Sequence, residues 1–244
     1  MDEGVRDPGG DPMAAGPDGR HGPHVFVVDL GAPEPDTDDR RHLERVLRIR
    51  VGDPITVSDG TGSWRACAMG DPVEVTGPIH VVAAVTPRLK VAFALVKGAR
   101  PELVVQKLTE LGVDEIIPFT AARSVARWDD EKAGRQHERL IKVAREASMQ
   151  SRRCWLPVVH GLRTFAEVAA LPGACLAERG GRPPSVASST VLIGPEGGWD
   201  ESERAAVSDH VSFGEQVLRA ETAALAAGAV LAALRAGSVA EADR

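Results

Sequence analysis

The chain has 244 residues, 43% of them hydrophobic and 26% charged, enough for a full core in one or two domains of a soluble globular protein. No run approaches the roughly 18 consecutive apolar residues of a membrane span, and the N-terminus lacks the apolar core of a secretory signal, so a cytoplasmic protein is expected. The formal net charge of −6 is uneven: residues 1–40 hold ten Asp or Glu against three Arg, leaving about +1 for residues 41–244, which can present basic patches to an anionic partner.

Residues 1–22, rich in Gly, Pro and Asp, have too few bulky apolar side chains to offset their ordering entropy and read as a disordered acidic leader. Order begins with a short strand at His24-Val25-Phe26-Val27-Val28. Asp38 or Asp39 then caps a helix reaching Ile49, with Leu43, Val46 and Leu47 on its apolar face. Arg40, Arg41, Arg45, Arg48 and Arg50 surround it. Such a run is either a solvated face or a phosphate-facing one, because guanidinium pairs phosphate in bidentate fashion. Arg41, Arg45 and Arg48 are taken as candidate RNA contacts. From residue 51 to 85, short strands over 54–58, 64–69, 73–76 and 79–85 alternate with Asp59-Gly60-Thr61-Gly62 and Gly70-Asp71-Pro72, the pattern of a small β-barrel. The boundaries are a leader at 1–22, a barrel at 23–86, an α/β domain at 87–236 and a tail at 237–244.

In the α/β domain strands and helices alternate. Residues 91–96 form a strand, Pro101 opens a helix that Gly112 stops, and 114–119 form the next strand. A long helix over about 132–150 sets Arg135, Arg139 and Lys142 on one face and Leu140, Ala144 and Ala147 toward the core. Those three basic residues, with Arg100 and Arg123, complete the candidate RNA contacts; a solvated surface is the other reading. Thr164 and Glu167 form a capping box, and 174–177 a strand. A helix from Thr222 to Leu234, nearly all Ala, Leu, Val and Gly, is apolar all round and must be buried, against a neighbouring helix or across a dimer.

The richest stretch is Val191-Leu192-Ile193-Gly194-Pro195-Glu196-Gly197-Gly198-Trp199-Asp200, with Glu203 three residues on. It reads as a buried strand, a glycine-rich turn and a capped helix start. Such a turn lies at a strand's carboxyl end, where α/β proteins place ligands, and its glycines let a ligand lie against bare backbone. It is neither a P-loop, lacking the lysine, nor a Gly-x-Gly-x-x-Gly dinucleotide turn. Glu196 would repel a pyrophosphate, so a neutral or cationic ligand fits; an ordinary tight turn is the alternative. Cys67, Cys154 and Cys175 are too few and too separated for a disulfide framework, and the histidines show no ligand spacing with them, so no metal is expected.

Five blocks in order now carry a resemblance. They are Arg41-His42-Leu43 with Val46-Leu47-Arg48 and Val51-Gly52-Asp53; Lys97-Gly98 with Arg100 and Glu102-Leu103; Gln106-Lys107 with Thr109-Glu110-Leu111-Gly112-Val113; Ile193 to Gly198; and Leu218-Arg219-Ala220-Glu221-Thr222-Ala223. Over about residues 24–235 the chain resembles the RsmE-type 16S rRNA uridine-N3 methyltransferases of the SPOUT superfamily. The resemblance implies a PUA-like β-barrel for RNA, followed by an α/β SPOUT domain with a deep trefoil knot, assembled as a homodimer through the knotted domain. It implies 16S rRNA in the small ribosomal subunit as substrate and S-adenosyl-L-methionine as cofactor. The cofactor would be held by Leu192, Ile193, Gly194, Pro195, Glu196, Gly197, Gly198, Val217, Leu218, Arg219, Thr222 and Ala223. This cofactor is a cation without phosphates, compatible with the glycine turn. Arg219 and Glu221, in the motif expected beside it, are the candidate catalytic pair; for Glu221 a carboxylate favouring the helix dipole is the other reading. The chain departs from the family at Ala220, where a threonine is usual, at His24, where many members have Arg, and at Met149-Gln150-Ser151, where only the last two residues match. Two further readings stay open: methylation of a ribose 2′-oxygen of rRNA or tRNA, and a non-catalytic RNA-binding assembly factor.

Overall fold

The computed structural model describes residues 16–96 and 100–241. Within them, one compact unit runs to Ala84 and takes in Arg152–Trp155, and a second comprises Val85–Ser151 and the chain from Leu156 onward.

The first unit contains β1 (His24–Phe26), α1 (Thr37–Arg41) running into a π-helical turn (His42–Val46), β2 (Pro54–Ser58), β3 (Ser63–Ala68), β4 (Glu74–Val75) and β5 (His80–Val81). β1 lies parallel to β2, β2 antiparallel to β3, and β3 pairs with both β4 and β5. Phe26, Leu43, Ile55, Val57, Trp64 and Cys67 are buried. Asp59 shapes the β2–β3 turn by accepting from the Thr61 and Ser63 amides at 2.7 and 3.0 Å. Trp155 donates from Nε1 to the Val82 carbonyl at 2.9 Å, which ties the distant Arg152–Trp155 segment to this unit.

Several expectations are corrected here. The helix is capped by Asp36, not Asp38 or Asp39, and its regular turn ends at Arg41. The i→i+5 bond from the Leu47 amide to the His42 carbonyl shifts the following face by a residue. Leu43 stays buried while Val46 and Leu47 are 64% and 44% exposed. Arg40 faces inward, bonding Glu34 and the Gly70 carbonyl. His24 is 4% exposed and bonded to Thr56 Oγ1 at 2.9 Å. Most of the expected leader lies outside the described residues, but its end is packed: Pro17 is buried, and a Cβ at Gly22 would stand 1.7 Å from the Pro54 carbonyl oxygen.

The second unit contains β6 (Lys90–Ala94), α2 (Arg100–Glu110), β7 (Glu115–Thr120), α3 (Asp130–Gln150), β8 (Val158–Val159), β9 (Arg163–Thr164), α4 (Phe165–Ala169), β10 (Ala174–Arg182), β11 (Thr190–Ile193), α5 (Glu201–Ala206), β12 (His210–Val211) and α6 (Ala220–Arg235). The strands are parallel in the order β12-β10-β11-β6-β7-β8, with β9 also on β7. Both faces of a parallel sheet are covered, so the central segments 91–94 and 191–193 are apolar and buried on both sides. Val91, Phe93, Ile116, Cys175, Val191 and Ile193 pack on one face with residues of α2, α3 and α6. Their neighbours Ala92, Ala94, Ile117, Leu176 and Leu192 pack on the other with Val168 of α4 and Trp199. The alternation is that of a pleated strand.

α3 starts earlier than its sequence pattern indicates because Asp129 caps it, accepting from the Lys132 amide at 2.8 Å. α5 stops at Ala206 because the chain must turn to lay β12 beside β10. The small-residue face of α6 is occupied within the chain: a Cβ at Gly228 would come 2.7 Å from Leu108 of α2. β6 and β11 are neighbours, but the chain leaves β6 toward β7 and β11 toward β12. At such reversals open α/β sheets bind ligands, outside the carboxyl ends of the strands.

Candidate cofactor cavity

The glycine turn follows the carboxyl end of β11. A Cβ on Gly194 would stand 2.8 Å from the Trp199 ring, so glycine is demanded there. Trp199 is 3% exposed, stacks on Phe119 and donates to the Ala177 carbonyl at 3.1 Å. The Gly198 amide closes the turn on the Pro195 carbonyl at 2.9 Å. Asp200 and Glu203 then form a complete capping box for α5. Buried Glu203 also accepts from the Ala122 amide at 2.8 Å, pinning the turn to the loop after β7. Ser202's hydrogen bonds, followed by the charges of Arg123 and Arg204, hold the Asp200 carboxyl below its ordinary range.

Beside this turn lies a cavity of about 400 Å³. One wall is Ile193, Gly194, Pro195, Glu196, Gly198 and Trp199; a second is Ala177, Glu178 and Arg179 in the middle of β10; the third is Ser212, Phe213, Gly214, Gln216, Val217 and Leu218, with Ala220 and Ala223 of α6. Its carboxylates are paired: Glu196 with Arg100 at 2.6 Å, and Glu178 with Arg204 at 2.6 Å and His210 at 3.0 Å. Arg100 also lies 3.6 Å from Glu221.

Among the expected cofactor residues, Ile193, Gly194, Pro195, Glu196, Gly198, Val217, Leu218 and Ala223 line the cavity. Leu192 does not: strand alternation turns it to the opposite face, fully buried beside Trp199. Gly197 packs against Arg123, and Arg219 and Thr222 are exposed outside the lining. Glu221 turns toward Arg100, and its Oε2 is buried without a hydrogen bond.

Of the expected RNA contacts, Arg100 is spent on Glu196 and Glu221, and Arg123 on the Gly197 carbonyl and Asp200. Arg139 pairs with Glu102, Arg135 with Glu131, and Arg41 with Asp38. Arg45, Arg48 and Lys142 are exposed. The β10 wall and most of the loop before α6 were missed. Their only signal is Arg179-Gly180-Gly181, glycines in what otherwise reads as the end of a strand.

The cavity has room for a small ligand. At Gly198 and Gly214 φ is positive and nothing stands within 4 Å of where a Cβ would be, so bare backbone is open to a ligand. Among the described residues no cluster suited to a metal is present.

The RNA methyltransferase domain family model matches residues 84–232. The chain is 34% identical over 226 residues to ribosomal RNA small subunit methyltransferase E of Mycobacterium bovis, covering 80% of this chain and 84% of that one. Against the protein of the same name from Bacillus subtilis it is 30% identical over 221 residues, covering 77% and 84%. Among solved structures, ribosomal RNA small subunit methyltransferase E from Neisseria gonorrhoeae bound to S-adenosyl methionine superposes with a TM-score of 0.73 at 26% identity, covering 88% of this chain and 98% of that one.

Proposed function

The chain belongs to the RNA methyltransferase family, and from that premise we propose that it transfers a methyl group from S-adenosylmethionine to N3 of a uridine in the 16S rRNA of the small ribosomal subunit. The observation that carries this reading is the cavity at the glycine turn, with its paired carboxylates and bare backbone, in a chain similar to a protein solved with S-adenosyl methionine. Ile193, Gly194, Pro195, Glu196, Gly198, Val217, Leu218 and Ala223 would hold the cofactor. When bound, it supplies a methyl group on a sulfonium.

Uridine N3 carries a proton, and its lone pair becomes available as that proton leaves. The acceptor must reach within about 3 Å of N3–H, directly or through one water. Glu221 is the proposed acceptor, its carboxylate held from one side by Arg100. Arg219, exposed at the N-cap of α6, is proposed to stabilise the negative charge that spreads over the uracil oxygens. The uridine must be single-stranded or extruded to reach the site. Much of the remaining barrier can be removed by positioning alone.

The same reading takes residues 23–86 as a PUA-like RNA-binding barrel that uses Arg41, Arg45 and Arg48, and residues 87–236 as a SPOUT domain with a deep trefoil knot. It has the enzyme working as a homodimer in the cytoplasm.

The test is transfer from labelled S-adenosylmethionine to small subunits lacking the modification, followed by nucleoside mass spectrometry. N3-methyluridine is expected; a 2′-O-methyl nucleoside would overturn the base as target. Glu221→Gln should lower kcat at least tenfold with unchanged cofactor affinity, a typical loss for a general base. Unchanged transfer would remove Glu221 from the chemistry.

A further inference from the structure

β10 carries a bulge. Ala177 and Arg182 both register against Val211 of β12, so the residues between them leave the ladder. Bulges re-aim side chains and concentrate beside active sites. This one is anchored at both ends. Glu178 holds Arg204 at 2.6 Å and His210 at 3.0 Å, and Arg182 grips both carboxylate oxygens of Asp209 at 2.8 and 2.5 Å. Gly181 lies so close to β12 that a Cβ would stand 2.7 Å from the carbonyl carbon of His210. Between the anchors stands Arg179, exposed, with no hydrogen bond or ion pair among the described residues.

Arg179 lines the cofactor cavity and also a second one of about 480 Å³, bounded by the bulge, Pro183, Pro184 and the loop after β12. The two spaces share Arg179, Ser212 and Gly214. In the first, Glu178 and Glu196 are matched by arginines other than Arg179, so its guanidinium has no ion-pair partner among the described residues at the junction. A guanidinium so placed recognises an oxyanion, and phosphate in bidentate fashion. The second space also offers an acceptor, Glu215, which makes no ion pair with Arg179, and open backbone at Gly180. A phosphate acceptor and a hydroxyl donor occur together on a ribonucleotide.

We propose that the second cavity is a subsite for a nucleotide of the substrate RNA and that Arg179 holds its phosphate, delivering the target base to the neighbouring cofactor cavity. The proposal rests on the RNA methyltransferase reading. The competing oxyanion is the carboxylate of the cofactor's methionine arm. RNA is favoured because most of the second space's lining, Gly180, Gly181, Pro183, Pro184 and Glu215, lies outside the walls of the first, and Arg179 is the cation of that lining.

The test measures binding of the full-length protein to small ribosomal subunits across a salt series, with a calorimetric titration of S-adenosylmethionine, for wild type, Arg179→Ala and Arg179→Lys. The alanine variant should bind subunits about tenfold more weakly. Its slope of log affinity against log salt should flatten by about 0.7–0.9, with cofactor affinity within about twofold of wild type. Lysine should restore the slope and only part of the affinity, because an ammonium cannot pair phosphate in bidentate fashion. Unchanged subunit binding and slope in the alanine variant would overturn the proposal. So would weakened cofactor binding with subunit binding intact, which would assign the guanidinium to the cofactor carboxylate. A wild type that binds subunits but transfers no methyl would overturn the methyltransferase reading, while the salt slope still decides the phosphate contact.

Discussion

Arg100 joins two walls of the candidate cofactor cavity, meeting Glu196 of the glycine turn at 2.6 Å and Glu221 of α6 at 3.6 Å. Each pair is partly exposed, so solvent limits it to about 1 kcal/mol or less. Arg100→Ala should raise the S-adenosylmethionine Kd roughly three- to tenfold in calorimetry with little change in unfolding midpoint. Arg100→Lys should recover part of that loss; full affinity in the alanine variant would reduce the bridge to surface decoration. Gly194 is constrained by packing instead. Its missing Cβ leaves room for a tryptophan ring that is itself stacked on Phe119 and bonded to Ala177. Gly194→Ala should cost about 1–3 kcal/mol by overpacking, measured by urea unfolding, and a variant as stable as wild type would show that the ring yields. The glycine was legible as a turn residue. Its reason was not, because the ring's position is set by a residue of β7 far away in the chain.

At the scale of elements, two short helices carry complete capping boxes, α4 through Thr164 and Glu167 and α5 through Asp200 and Glu203. Both were readable from spacing, since a cap acts over three residues. They differ in what lies beside them. Thr164→Ala should cost about 1 kcal/mol and leave cofactor affinity untouched. Asp200→Ala should also lower the unfolding midpoint, but weaken cofactor binding severalfold, because Asp200 ends the glycine turn and meets Arg123. Equal cofactor affinity in the two variants would mean that the turn keeps its shape without its cap. The elements that escaped sequence reading are those a distant partner reshapes: the π-helical turn after α1, and β10, which runs five residues past its apolar segment at 174–177 to end at Arg182.

Across the whole molecule, stability depends on pH through a buried imidazole. Burial, helped by the charge of Arg152, lowers the His24 pKa from 6.5 to about 4. Native His24 therefore stays neutral where the unfolded chain is already protonated. Its contribution is fully present above pH 6.5, is lost as pH falls toward 4, and changes no further below that. The swing is at most about 3 kcal/mol. Urea midpoints measured between pH 7 and pH 4 should fall more steeply for wild type than for His24→Gln; parallel slopes would show that the imidazole is not responsible. By itself the sequence determined the alternation of strands and helices, the two capping boxes, and a glycine-rich turn between β11 and α5. Those signals pass between residues a few positions apart, through periodicity, capping and backbone freedom. Only the tertiary structure decided which arginines are free and which are spent on carboxylates, that Leu192 faces away from the cavity while Ile193 lines it, and that a bulge in β10 supplies the remaining wall. The bulge depends on parallel pairing of β10 with β12, which the sequence keeps far apart, and ion pairs such as Arg100–Glu196 and Arg139–Glu102 depend on elements that only the folded chain brings together.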